Sequence, residues 1–214
     1  NAEPWTGFYG ATIPALATDA TRLELKYVRA LGPAGWGTTA MWELDGRVEN
    51  IEPLDGSDNG AVSRLAGALV VRVPAGATTV HLETHAGIVG GDLVPSQELV
   101  RLGGIISGPG FSYHQFVGEE AVSQRVEWRV PVPFVSLPLL GYGRSPERAT
   151  LAPYAHLVCV GGRVSGESGC FPSLGVGFSA IYDLIRFDVA YGFREGGWKF
   201  GVDAGRGMVN KGAR

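Results

Sequence analysis

The 214 residues read as an all-β chain, an antiparallel meander of about ten strands that forms a β-barrel or part of a larger barrel. Three observations lead there. Ten segments alternate apolar and polar residues at a period of two, and only an extended strand puts such residues on opposite faces. Turn-forming residues separate these segments at short spacing, as in a meander and unlike alternating βα units. No run approaches the ~18 apolar residues of a membrane-spanning helix, and no amphipathic helix exceeds one or two turns.

The strands are expected at about 7–13, 21–30, 38–48, 61–73, 78–90, 121–134, 149–160, 172–182, 184–193 and 197–205. The second sets Leu23, Leu25 and Tyr27 against Arg22, Glu24 and Lys26; the third sets Ala40, Trp42 and Leu44 against Glu43 and Asp45. Val126, Trp128, Val130, Val132 and Phe134 oppose Arg125, Glu127 and Arg129, and Ile185, Phe187, Val189, Tyr191 and Phe193 oppose Arg186 and Asp188. In the last segment Trp198, Phe200 and Val202 oppose Lys199 and Asp203. Leu54–Gly60, Pro74–Gly76 and Arg194–Gly197 carry turn chemistry between strands. Ser96 to Leu102 is the best helix candidate, with Ser96 as N-cap. The long interruption, 91–120, includes Gly103, Gly104, Pro109, Gly110 and Phe111; it is poor in charge and is expected to be packed, folded back into the barrel.

An apolar face carrying Trp and Tyr, backed by a charged face, is what a membrane β-barrel presents to lipid and lumen. A β-sandwich or a soluble barrel shows the same alternation. The five tryptophans (Trp5, Trp36, Trp42, Trp128, Trp198) suit interfacial girdles or a soluble core. The 33 glycines exceed twice the average share of ~7%, and Gly175 and Gly177 fall inside a strand, where bending or close packing uses them. A net charge of −3 argues against general affinity for nucleic acid or anionic lipid. No basic-plus-apolar leader opens the chain, so Asn1 follows a processing cut or begins a fragment. Cys159 and Cys170 flank a hairpin loop; a disulfide would staple it and imply an oxidising compartment, and two unrelated thiols are the alternative.

Chemistry-bearing constellations are weak. His81, Glu83 and His85 share a strand face, but i and i+4 of a strand lie ~13 Å apart, too far for both histidines on one ion. Pairs drawing on His114 or His156 are no better specified, so no metal and no cofactor are expected. Asp183, Asp188 and Asp203 are expected to pair with Arg186 or Lys199 rather than to serve as acid or base. Nucleophile turns and phosphate-cradling loops are missing, and an enzyme is not expected.

Leu93-Val94-Pro95-Ser96-Gln97-Glu98-Leu99-Val100-Arg101-Leu102-Gly103-Gly104, then Pro109-Gly110-Phe111 and Val126-Glu127-Trp128-Arg129-Val130-Pro131, resemble the C-terminal part of the bacterial surface-antigen family. Leu151-Ala152-Pro153-Tyr154, Pro172-Ser173-Leu174-Gly175-Val176-Gly177 and Leu184-Ile185-Arg186-Phe187-Asp188-Val189-Ala190 extend the ordered series over about 93–204. That family comprises outer-membrane assembly barrels and two-partner secretion transporters. The resemblance implies a sixteen-stranded barrel that inserts or translocates proteins, preceded by periplasmic docking domains. This chain is similar to its last ten strands, or to a smaller relative. Two departures stand out. The family's inward loop carries an Arg before the Gly-aromatic pair and an Asp partner on a nearby strand; the matching positions here are Pro109 and His156. Losing both together is physically easier than losing one, because a lone buried charge costs several kcal/mol. The family's closing aromatic at the chain end is also missing, which argues against insertion through the usual assembly machinery.

One domain over 1–214 is therefore expected: a non-catalytic cell-envelope β-barrel protein of the outer membrane or periplasm of a Gram-negative-type bacterium, with a structural or binding role. Its partner would be the lipid bilayer or another envelope protein, with no nucleic acid involved. The structural role predicts Arg125, Glu127 and Arg129 paired inward, with His156, Arg186 and Asp188 also facing inward. One alternative is the C-terminal part of an outer-membrane insertase or translocase. Another is a soluble extracytoplasmic β-domain serving as accessory subunit of a larger membrane complex.

Overall fold

A computed structural model describes the backbone over 5–6, 12–13, 17–30, 39–52, 60–91, 94, 96, 98–138, 143–162 and 168–204, with side chains from residue 62 onward within those ranges. Two short strands, β1 (Trp5–Thr6) and β2 (Thr12–Ile13), pair with each other. The long strands are β3 (Ala17–Ala30), β4 (Thr39–Glu52), β5 (Gly60–Ala75) and β6 (Thr78–Gly91). Then come β7 (Val100–Leu102), a single helical turn α1 (Gly104–Ser107) and β8 (Phe116–Gly118). The chain continues with β9 (Glu120–Pro133), β10 (Arg148–Gly161), β11 (Gly169–Ala180), β12 (Ile185–Gly192) and β13 (Gly197–Ala204).

Nine strands form one sheet in the order β13-β12-β11-β10-β9-β6-β5-β4-β3, every neighbouring pair antiparallel. The all-β meander expected from the alternation is what forms, with one difference of count. Of the expected strand at 7–13, Thr12–Ile13 pairs among the described residues with Trp5–Thr6 rather than with the sheet, and 7–11 lies outside the described residues. Among the described residues β3 and β13 are not paired, so the sheet does not close into a barrel.

The expected helix at 96–102 is corrected. Val100–Leu102 is a strand paired with Phe116–Gly118, and the Arg101 guanidinium donates back to the Ser96 carbonyl at 2.9 Å. Seven residues make too short a helix to stand alone, and pairing with a second extended segment satisfies the same backbone groups. The helical turn falls instead at Gly104–Ser107.

The alternation sorts side chains as the strands require, with polar residues on the buried side. Along β9, Ser123, Arg125 and Glu127 are buried while Val122, Val126 and Trp128 are exposed. On β12, Arg186 and Asp188 are buried and Phe187 is exposed. No second sheet covers the buried side among the described residues. Curling of the sheet around its own polar side chains explains the burial. Ion pairs join β9 to β12 across β10 and β11, strands that would lie about 14 Å apart on a flat sheet.

The apolar core sits at one end of this curl. Val62, Val89, Ala121, Val158 and Val160 from the sheet pack against Val100, Leu102, Phe111 and Phe116 of the 91–120 connection. That connection is therefore folded onto the polar side of the sheet. It carries β7, α1 and β8, more regular structure than its Gly-rich sequence suggests.

Candidate functional site

The most developed side-chain assembly is the ionic group on the buried face of β9 and β12. Glu127 and Asp188 are its acceptors, with 3% exposure each, and Arg125 and Arg186, 3% and 2% exposed, are its donors. Arg186 grips Glu127 with both terminal nitrogens, Nη1 to Oε1 at 3.0 Å and Nη2 to Oε2 at 2.8 Å. Its Nε donates to Asp188 Oδ2 at 2.7 Å, and Nη2 also reaches Oδ1 at 2.9 Å. Arg125 Nη2 adds contacts to Asp188 Oδ1 (2.9 Å) and Glu127 Oε2 (3.0 Å). Two buried cations thus face two buried anions, and their charges cancel. Arg129, half-buried, extends the group through Nε to Glu127 Oε1 at 2.6 Å and lies 3.8 Å from Asp183.

Missing side chains make the geometry possible. A Cβ on Gly177 would sit 2.2 Å from Arg186 Nη2, and one on Gly175 would meet the Tyr154 ring at 2.5 Å. The two glycines form a trough in which Arg186 and Tyr154 lie flat against the sheet. The Arg125 guanidinium in turn stacks 3.7 Å from the Tyr154 ring centroid. Close packing, one of the two roles expected of these glycines, is the one observed.

His156 is buried on the same face but outside the ionic group; its Nε2 is 2.9 Å from Ser123 Oγ. Ser173, its register partner on β11, donates to the Pro109 carbonyl. Gly110 sits against Gly192 and Ser173: its φ is +92°, and a Cβ there would be 2.9 Å from the Gly192 nitrogen. Phe111 is buried beside it. Gly103 and Gly104 open α1, where Ser107 Oγ accepts from the Gly103 N–H and donates to the Gly103 carbonyl. The Pro109 and His156 positions are thus both neighbours of Ser173, one through a hydrogen bond and the other through strand register.

The remaining candidates scatter. Glu83 and His85 hydrogen-bond each other at 2.8 Å, and His81 lies on the rung between Arg72 and Glu127. His114 stacks on Tyr113 in the connection; desolvation and the Arg101 guanidinium hold its imidazole below the ordinary range. Asp188 pairs with Arg186 as expected. Lys199 meets Glu195 at 3.6 Å and Ser112 at 3.2 Å rather than an aspartate, because the neighbouring turn and the folded-back connection lie closer. Cys159 and Cys170, opposite each other on β10 and β11, form a disulfide on the exposed face. The Glu127–Arg186 pair had no signal in the alternation, because two strands intervene.

No family model matches the chain, and no curated protein matches it either.

Proposed function

We propose that the chain is a wall segment of an envelope β-barrel, non-catalytic, with its exposed face against lipid and its ionic face lining or filling the interior. One observation carries this: among the described residues, β9 and β12 bury Arg125, Glu127, Arg186 and Asp188, and the opposite face exposes large apolar side chains. Trp128 (53% exposed), Phe187 (47%), Trp198 (62%) and Phe200 (77%) stand on the same side as Val126, Leu151, Leu174 and Val176. Each would forgo roughly 1.5–3 kcal/mol of burial in water, and lipid supplies that burial. Aromatic clusters lie toward both ends of the exposed face. Tyr191, Phe193 and Trp198 gather beside the 193–196 turn, and Phe134 and Phe178 gather toward the other end. Paired aromatic girdles of that kind suit the two interfaces of a bilayer. A soluble accessory domain would want a polar exterior, and this surface disfavours that reading.

The test is spin-label accessibility after reconstitution into bilayers, with single cysteines on the disulfide-free background at Val126, Val176 and Phe187, and at Ser123 for the opposite face. The first three should be open to oxygen and shielded from a water-soluble nickel chelate, and Ser123 should not share that profile. Equal nickel access at Val126, Val176 and Phe187 in folded protein would sink the reading.

A second reading, the C-terminal part of an insertase or translocase, is favoured by the connection lying on the ionic face with Pro109 and Gly110 seated on Ser173 and Gly192. It predicts docking domains encoded upstream in the full reading frame.

A further inference from the structure

The folded-back strap Leu99–Gly118 is topologically separate from the sheet it covers. Its strands β7 and β8 pair with each other and with no strand of the nine. At its root the Val89 N–H donates to the Glu119 carbonyl at 2.7 Å. Beside the apolar core and the Ser173–Pro109 bond, its grip on the sheet includes an aromatic column. Phe111 meets Phe116 edge-on at 4.9 Å, and Phe116 stacks on Phe171 of β11 at 4.8 Å with planes 15° apart. Arg194, from the turn joining β12 and β13, then lies over Phe171 with its guanidinium carbon 4.7 Å from the ring centroid. The same guanidinium is 5.9 Å from the Phe116 ring. Gln115 donates to Glu195 in that same turn.

We propose that the strap is a separately opening closure over the ionic face, and that its catch is the Phe116–Phe171–Arg194 stack. The ladder of β9 to β13 and the Arg125–Glu127–Arg186–Asp188 group are bonded among their own residues. The strap in contrast is held by packing and single hydrogen bonds rather than by a strand ladder: its Val100, Leu102, Phe111 and Phe116 join the apolar core, Ser173 donates to the Pro109 carbonyl, and Ile105 lies against Gly201. A segment with its own pairing and no strand ladder to the sheet opens as its own unit, below the free energy of global unfolding. Arg194 caps the ring that carries the strap, so its removal should raise the open population and leave the strands as they were. The inference stands whether the exposed face meets lipid or water.

Hydrogen exchange of the folded full chain, read by mass spectrometry, tests it. In Arg194→Ala, amides of 100–118 should exchange roughly two- to fivefold faster, the range an exposed guanidinium–ring contact supplies. Amides of 121–130 and 150–158 should keep wild-type rates. Arg194→Lys should fall in between. Phe171→Leu keeps bulk but removes the ring, and it should abolish any further effect of Arg194→Ala in the double variant. Unchanged strap exchange in Arg194→Ala overturns the proposal. So does equal acceleration of strap and strands, or full additivity with Phe171→Leu.

Discussion

Arg186 shows how much a single buried side chain depends on an absent one. Its guanidinium reaches Glu127 because Gly177 leaves the space beneath it empty. Gly177→Ala would push Nη2 off the carboxylate and leave buried charge without its partner. Removing one member of a buried pair typically costs ~3–5 kcal/mol, and a displaced pair should lose a large part of that, about 2–3 kcal/mol. A lower urea midpoint for Gly177→Ala, with Gly90→Ala as a control where the added carbon meets nothing within 4 Å, checks this. Arg186→Met should cost more, in the full ~3–5 kcal/mol range, because Glu127 and Asp188 then share only Arg125 and Arg129. The residues of this group were legible as the charged side of alternating strands. Their pairing was not, because alternation gives a side chain its face and says nothing of which strand curls over to meet it.

Strand pairs and turns carry their own consequences. The Cys159–Cys170 bridge joins directly opposed residues of β10 and β11 and closes a loop at a separation of 11 residues. Loop-closure entropy for that length gives about 3 kcal/mol at 25 °C. Cys159→Ser with Cys170→Ser should lose roughly that amount, and added reductant should then have no further effect on the unfolding midpoint. The turn between β11 and β12 places Ile181, Tyr182 and Asp183 at φ of 54°, 61° and 62°, where side chains other than Asn, Asp and Gly are strained. Tyr182→Asn should therefore stabilise the hairpin by about 0.5–1 kcal/mol, read as a higher midpoint. Hairpin positions were largely visible in sequence, since alternation and turn residues are local. The 96–102 segment reads locally as a helix because its pairing partner, Phe116–Gly118, lies beyond any local window.

For the molecule as a whole, direction and number matter more than any contact. Nine strands each antiparallel to the next leave β3 and β13 running the same way. Closing them on each other would need a parallel seam, whereas an all-antiparallel barrel would need an odd number of further strands between them. Bacterial single-chain barrels use even numbers. On the barrel reading, paired cysteines stepped along β3 and β13, beginning with Tyr27→Cys and Phe200→Cys on the disulfide-free background, should not cross-link within one chain. An intrachain cross-link that advances in the same direction on both strands would establish the parallel seam instead.

Alternation and turn residues were enough to specify an antiparallel sheet with one ionic and one apolar side, because side-chain direction along a strand repeats every two residues whatever surrounds it. They also marked 91–120 as an insertion to be packed. Which side became the interior was decided by tertiary structure alone. Curling brought Glu127 and Arg186 together over the Gly175–Gly177 trough, seated the strap among Val158, Val160 and Phe171, and, among the described residues, left β3 and β13 unpaired. Those outcomes depend on contacts between residues about 60 positions apart, and no local pattern encodes them.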